Sequence, residues 1–179
     1  GSELHVSINL SGQSIGEEGF LSYVTERLDL LGACATQVCF EVTETVAVNN
    51  LSLAVSFIET IKRYGCKFSL DDFGAGVSSF GYLKNLPVDF VKIDGVFIRA
   101  IDNSEVDEAM VKAISQVARV MGMQTIAEFV ENREGFDRLE KIGIDYAQGY
   151  WIEKPRPIAD VFQNPQDTER RALRLVGSE

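Results

Sequence analysis

One histidine, three cysteines and no long uncharged apolar stretch set the first limits on this chain. His5 stands at the start of the sequence, remote from its other polar motifs, so imidazole ligation has little to work with. Cys34, Cys39 and Cys66 are odd in number, lie in apolar surroundings and show no Cys-x-x-Cys spacing. Zinc sites and a disulfide framework are therefore disfavoured, and a reducing cytoplasm suits the thiols. No apolar run approaches the roughly 18 residues of a membrane span, and no signal peptide opens the chain. The expectation is a cytoplasmic domain without direct membrane contact, although its parent protein could be membrane-anchored. Basic residues are also few. The net charge of -10 opposes nucleic acid or an anionic membrane surface as the main partner, because like charges repel. An acidic chain can still bind a phosphate ligand if it binds metal cations first.

What is present is a globular composition, 45% apolar and 25% charged over 179 residues, enough for one good core. Short apolar strands alternate with helical patterns. Strands are expected at Leu4–Leu10, Val38–Val42, Phe68–Asp72, Phe90–Ile93, Gln124–Ala127 and near Asp145–Ala147. Between them lie helical spacings through Phe20, Leu21, Val24, Leu28 and Leu31, through Leu53, Phe57, Ile58 and Ile61, and through Phe136, Leu139 and Ile142. A long helix is expected from about Glu105 to Met121, with Ser104 and Asp107 as a capping pair and Gly122 as the stop. Its buried stripe is expected to be Val106, Met110, Ile114, Val117 and Met121. Strands in alternation with helices predict an α/β fold with a parallel sheet. The boundaries expected are a barrel-type domain over residues 1–162 and a charged, helical tail over 163–179, its helix at Thr168–Val176.

The organising stretch is Phe68–Ser79, where an apolar run ends in Asp71 and Asp72 and a glycine-rich, hydroxyl-rich loop follows. Adjacent strand residues point to opposite faces, so these two acids converge on one site only if the strand ends there. Otherwise Asp72 simply caps the next helix and Asp71 is solvated. The same position recurs along the chain, because Asn9, Glu41, Asp71, Lys92, Glu128 and Gln148 each stand at or near the end of a strand. Alone, Asn9 could cap a turn, Glu41 could form a surface ion pair and Gln148 could bridge backbone groups. Lys92 is harder to explain away, since burying an unpaired ammonium in an apolar strand is expensive. In a barrel of strands and helices the strand carboxyl ends open on one face, which holds the active site. Oxygen donors without usable histidine or cysteine point to Mg²⁺ or Mn²⁺. Two such ions about 4 Å apart suit phosphodiester hydrolysis.

Six stretches in order carry a resemblance: Ile8–Ser11, Glu41–Thr45, Asp71–Gly76, Val91–Asp94, Ala127–Glu131 and Gln148–Tyr150. The chain resembles the EAL-domain family of cyclic di-GMP phosphodiesterases from about His5 to Pro157. The resemblance implies a TIM-type (β/α) barrel that hydrolyses one phosphodiester of cyclic di-GMP to linear pGpG with two Mg²⁺ or Mn²⁺ ions, Ca²⁺ being inhibitory. It implies Asn9, Glu41, Asp71, Asp72 and Glu128 as metal ligands. Lys92 would orient or deprotonate the attacking water, Glu128 is the alternative base, and Gln148 with Gly149 would contact the water or phosphate. Glu44 and the loop through Ser78 and Ser79 would couple the metal site to substrate and to a homodimer partner. Sensory or GGDEF-type domains are expected in the parent protein.

Two departures from the family pattern stand out. The Glu-Ala-Leu motif itself is absent, and about six of eight strands are visible, so the expectation is an N-terminally truncated barrel lacking one glutamate ligand. Val77 replaces a usual aromatic residue. Activity of the chain alone is then weak or absent, and a non-catalytic cyclic di-GMP receptor or protein-interaction module is the alternative. An open barrel would also expose strand edges and favour association.

Overall fold

The computed structural model describes residues 5–76 and 80–157, together with the backbone of 173–174. It divides into two units, Glu3–Val91 and the chain from Lys92 onward. In the first, β1 (Val6–Leu10) leads through α1 (Gly12–Gly16), α2 (Phe20–Leu31) and a 3₁₀ turn (Gly32–Gln37) to β2 (Val38–Thr43). Helices α3 (Glu44–Asn49) and α4 (Leu51–Lys62) return the chain to β3 (Lys67–Phe73), and α5 (Phe80–Leu83) follows. β2 pairs in parallel with both β1 and β3, an arrangement that needs helical crossovers of this kind.

Aromatic packing holds this unit together. Phe40 stacks on Phe68 with centroids 5.5 Å apart, Phe57 meets Phe68 edge-on at 6.4 Å, and Phe20 stacks on Phe57 at 6.0 Å. The expected apolar faces are largely those observed, with Val24 and Leu28 buried on α2 and Phe57, Ile58 and Ile61 on α4. Leu31 and Leu53 are exposed, and Ala54 takes the inward place on α4. On β1 only Leu10 is buried, and Val6 and Ile8 present apolar side chains to solvent.

The start of β3 is held by Asp89, the residue before β4 (Phe90–Ile93). Its Oδ2 accepts the Phe68 N–H at 2.9 Å, and its Oδ1 accepts from Lys62 Nζ at 3.0 Å and Lys67 Nζ at 3.3 Å. Its own N–H donates to the Phe68 carbonyl at 2.8 Å. One carboxylate therefore satisfies a strand amide and two ammonium groups.

In the second unit, Asp94 caps α6 (Gly95–Ile98) by accepting the Val96 N–H at 2.6 Å. α7 (Glu105–Val120), β5 (Gln124–Ala127), α8 (Arg133–Ile142) and β6 (Tyr146–Ala147) follow, with β5 and β6 parallel. Ser104 Oγ accepts the Asp107 N–H at 3.2 Å, as the capping pair predicts. The buried face of α7 is a correction: Val111, Ile114, Ser115 and Ala118 are inside, while Val106 is 72% exposed and Met110 is exposed too. Counting large apolar side chains rotated the expected stripe. The face turned inward runs through positions 111, 114, 115 and 118 and takes in the small Ser115 and Ala118.

Of the tail expected as a helix over 168–176, only the backbone of Leu173–Arg174 is described. Those two residues form β7, antiparallel to β6, which corrects the helical expectation there.

Replacing Asp89 with alanine leaves the Phe68 amide without its acceptor. Unfolding free energy in urea is expected to fall by about 1–3 kcal/mol, and an unchanged midpoint would show that the clamp does not stabilise β3.

Candidate active site

In the unit Glu3–Val91 strand register decides which polar residues share a face. Asn9 is opposite Glu41, and Glu41 is opposite Ser69. Side chains alternate along a strand, so Asp71, two residues beyond Ser69, lies on the same face as Glu41 and Asn9. Three of the expected ligands therefore project from neighbouring strands to one side near their carboxyl ends.

Asp72 would point away under strict alternation. Its φ of 54° takes it out of extended geometry, into a region that aspartate tolerates better than most residues. One carboxylate oxygen of Asp71 and one of Asp72 come within 4.8 Å of each other. β3 extends to Phe73, so it is a left-handed residue inside the strand, rather than the strand's end, that brings the two acids together. Paired hard oxygen donors of this kind fit Mg²⁺ or Mn²⁺.

Glu44, the first residue of α3, is buried. Its Oε2 accepts the Gly74 N–H at 3.0 Å and its Oε1 accepts the Tyr82 hydroxyl at 2.6 Å. Burial, reinforced by the Glu44 carboxylate, raises the Tyr82 phenol well above its ordinary range, so it remains a donor. The loop after β3 is thus tied at Gly74 to α3. Ser78 and Ser79, expected in the same coupling element, and Val77 lie outside the described residues.

In the unit from Lys92 the geometry is tighter. Lys92 on β4 and Glu128 just after β5 are only 5% and 6% exposed, and Lys92 Nζ lies 2.9 Å from Glu128 Oε1. Gln148 Nε2 donates to the same oxygen at 2.7 Å. Backbone bonds seat these groups: Glu128 N–H to the Ile93 carbonyl at 3.3 Å, Gln148 N–H to the Ala127 carbonyl at 2.9 Å, and Val130 N–H to the Gln148 carbonyl at 3.1 Å. The last contact requires glycine next. A Cβ on Gly149, whose φ is 157°, would stand 2.3 Å from the Val130 N and O atoms.

A cleft of about 470 Å³ opens beside this network, lined by Glu128, Phe129, Gln148, Gly149, Tyr150 and Arg156 among others. It combines two carboxylates, an amide, an ammonium, a guanidinium paired with the Glu153 carboxylate and two aromatic rings, which suits a polar, ring-bearing ligand. Three contributors escaped the sequence reading. Tyr82 is a hydroxyl on the short α5, Phe129 has no periodic partner, and Gly95 shows its importance only through the Phe129 ring, which a Cβ there would meet at 2.3 Å. The pairing of a positive-φ residue with a neighbouring glycine is a property of the backbone, and residue spacing does not carry it.

The chain matches the EAL domain family over residues 1–155. It is 49% identical over 154 residues to the cyclic di-GMP phosphodiesterase PdeB of Shewanella oneidensis, covering 86% of this chain and 18% of that protein. It is 40% identical over 156 residues to the cyclic di-GMP phosphodiesterase PdeF of Escherichia coli, covering 87% and 21%. The chain thus spans about a fifth of the length of these curated relatives. Among solved structures, the EAL domain of Mycobacterium smegmatis DcpA superposes with a TM-score of 0.84 at 29% identity, covering 93% of this chain and 74% of that one. The PaMucR phosphodiesterase in complex with c-di-GMP gives 0.81 at 30% identity, covering 88% and 64%. The α/β fold expected of the sequence is accordingly the TIM-barrel-like one of these structures, and the chain belongs to the EAL-domain family.

Proposed function

We propose that this chain hydrolyses cyclic di-GMP to linear pGpG in the cytoplasm. The observation that carries the reading is the buried Lys92–Glu128–Gln148 network at the ends of successive strands. A lysine and a glutamate buried together in this way leave an apolar core poorly served, and a polar reaction centre well served. The names of the relatives support the substrate.

The reaction adds water across one P–O bond. The water oxygen bonds to phosphorus, the bond to the ribose 3′ oxygen breaks, and that oxygen leaves with a proton as a hydroxyl. Glu128 holds its carboxylate in place through two donors, and Lys92 orients the attacking water, with Glu128 as the alternative proton acceptor. Gln148, steadied by Gly149, contacts the water or a phosphate oxygen. Asn9, Glu41, Asp71, Asp72 and Glu128 are the proposed ligands of divalent cations, Mg²⁺ or Mn²⁺. When bound, such ions neutralise phosphate charge and make a bound water acidic.

Glu44, through Gly74 and Tyr82, is the proposed coupling residue between the loop after β3 and a second copy of the chain, with Ser78 and Ser79 as further members of that element. The exposed Val6 and Ile8 also support association. The length of the curated relatives supports sensory or GGDEF-type domains beside this one in the parent protein.

Glu41→Ala or Asp71→Ala is expected to reduce pGpG formation more than the roughly 10- to 100-fold typical of groups that merely support a ligand, and a chelator to abolish it until Mg²⁺ or Mn²⁺ is restored. Unchanged turnover in both variants, or turnover indifferent to chelation, would overturn the metal assignment. Sedimentation should show a dimer, and a well-folded monomer at all concentrations would contradict the coupling role.

A further inference from the structure

We propose that Ser69 is a positioning residue for the cation site, its hydroxyl fixing the Glu41 carboxylate in the orientation that receives a divalent ion. The inference deepens the metal-dependent reading above and rests on it. Across β1, β2 and β3, Asn9, Glu41 and Ser69 form one row, each opposite the next, and Asp71 stands two residues beyond Ser69 on the same face. Neighbouring strands run about 4.8 Å apart. A short hydroxyl and a longer carboxylate at opposite positions of that row come within hydrogen-bonding reach once their rotamers turn toward each other.

Ser69 is 1% exposed, and its hydroxyl oxygen has no hydrogen-bond partner among the described residues. Its strand neighbours Phe68 and Leu70 are as deeply buried, but on the other face, where Phe40 and Phe57 meet the Phe68 ring. The buried hydroxyl therefore lies on the side of the acids. A hydroxyl buried without a partner costs free energy, and alanine at nearly the same volume would avoid that cost. Serine here is accounted for by an acceptor that reaches it when the cation is bound. Glu41, itself buried, is the carboxylate that the row supplies. Ligating carboxylates are themselves hydrogen-bonded, and each offers about four acceptor positions, so such a donor leaves room for an ion. Asp71 already shows the same device, because its Oδ1 accepts the Asp72 N–H at 3.1 Å. Ser69 does for Glu41 what that amide does for Asp71.

The test is Mn²⁺ binding to the chain without nucleotide, followed by electron paramagnetic resonance of the free ion, with thermal midpoints taken in the presence and absence of Mn²⁺. Ser69→Ala should raise the Mn²⁺ dissociation constant about 10- to 100-fold. Its midpoint without Mn²⁺ should equal or exceed that of the unaltered chain, since the unpartnered hydroxyl has gone. A serine with a merely structural role predicts the reverse, a lower midpoint without the ion and an unchanged dissociation constant. Glu41→Ala weakens binding by itself, and adding Ser69→Ala to it should change the constant no further, because Ser69 acts through Glu41. An unchanged constant in Ser69→Ala, or a full additional loss in the double variant, overturns the positioning role and leaves the metal assignment standing. Failure of the unaltered chain to bind Mn²⁺ overturns both.

Discussion

The buried pair of Lys92 and Glu128, with Gln148 on the same carboxylate oxygen, is the constraint on which the second half of the chain depends. An ammonium taken out of water without a partner loses several kcal/mol of solvation. Each member is therefore committed to the others, and the strand ends that carry them must stay in register. The backbone bonds from Glu128 to Ile93 and from Gln148 to Ala127 keep that register, and Gly149 is needed because Val130 leaves no room for a side chain. Similar volumes of leucine would fill the space with less risk. A charged network where an apolar one would pack as well supports the proposed reaction centre.

In the first half the organising device is the backbone itself. Asn9, Glu41 and Asp71 share a face through parallel register alone, and Asp72 joins Asp71 because its backbone turns left-handed within β3. Glu44 then ties the loop after β3 back to α3 at Gly74 and Tyr82. Two residues outside glycine, Asp72 and Phe129, are the positive-φ positions among those described, and each stands beside a proposed reacting group.

Much of this was legible beforehand, for definite reasons. Strands β1 to β6 announced themselves because short apolar runs ended in polar residues at matched places, and α8 because Leu139 recurs at helical spacing before Gly143. The face of α7 differs from the expected stripe because burial there takes in the small Ser115 and Ala118, which add little to an apolar pattern, while Val106 and Met110 face solvent. β7 could not be read, since two residues carry no period and its pairing with β6 is long-range. Phe129 and Gly95 escaped for a similar reason: their significance lies in one contact between residues 34 positions apart in number and in one dihedral angle.

The central claim is that water is added to one phosphodiester of cyclic di-GMP. Turnover with Mg²⁺ in ¹⁸O-labelled water, followed by mass spectrometry of the product, tests it most directly. The account predicts pGpG carrying a single ¹⁸O in its terminal 5′ phosphate. Product with the phosphate on the 3′ side, or nucleotide recovered uncleaved and unlabelled, would contradict it.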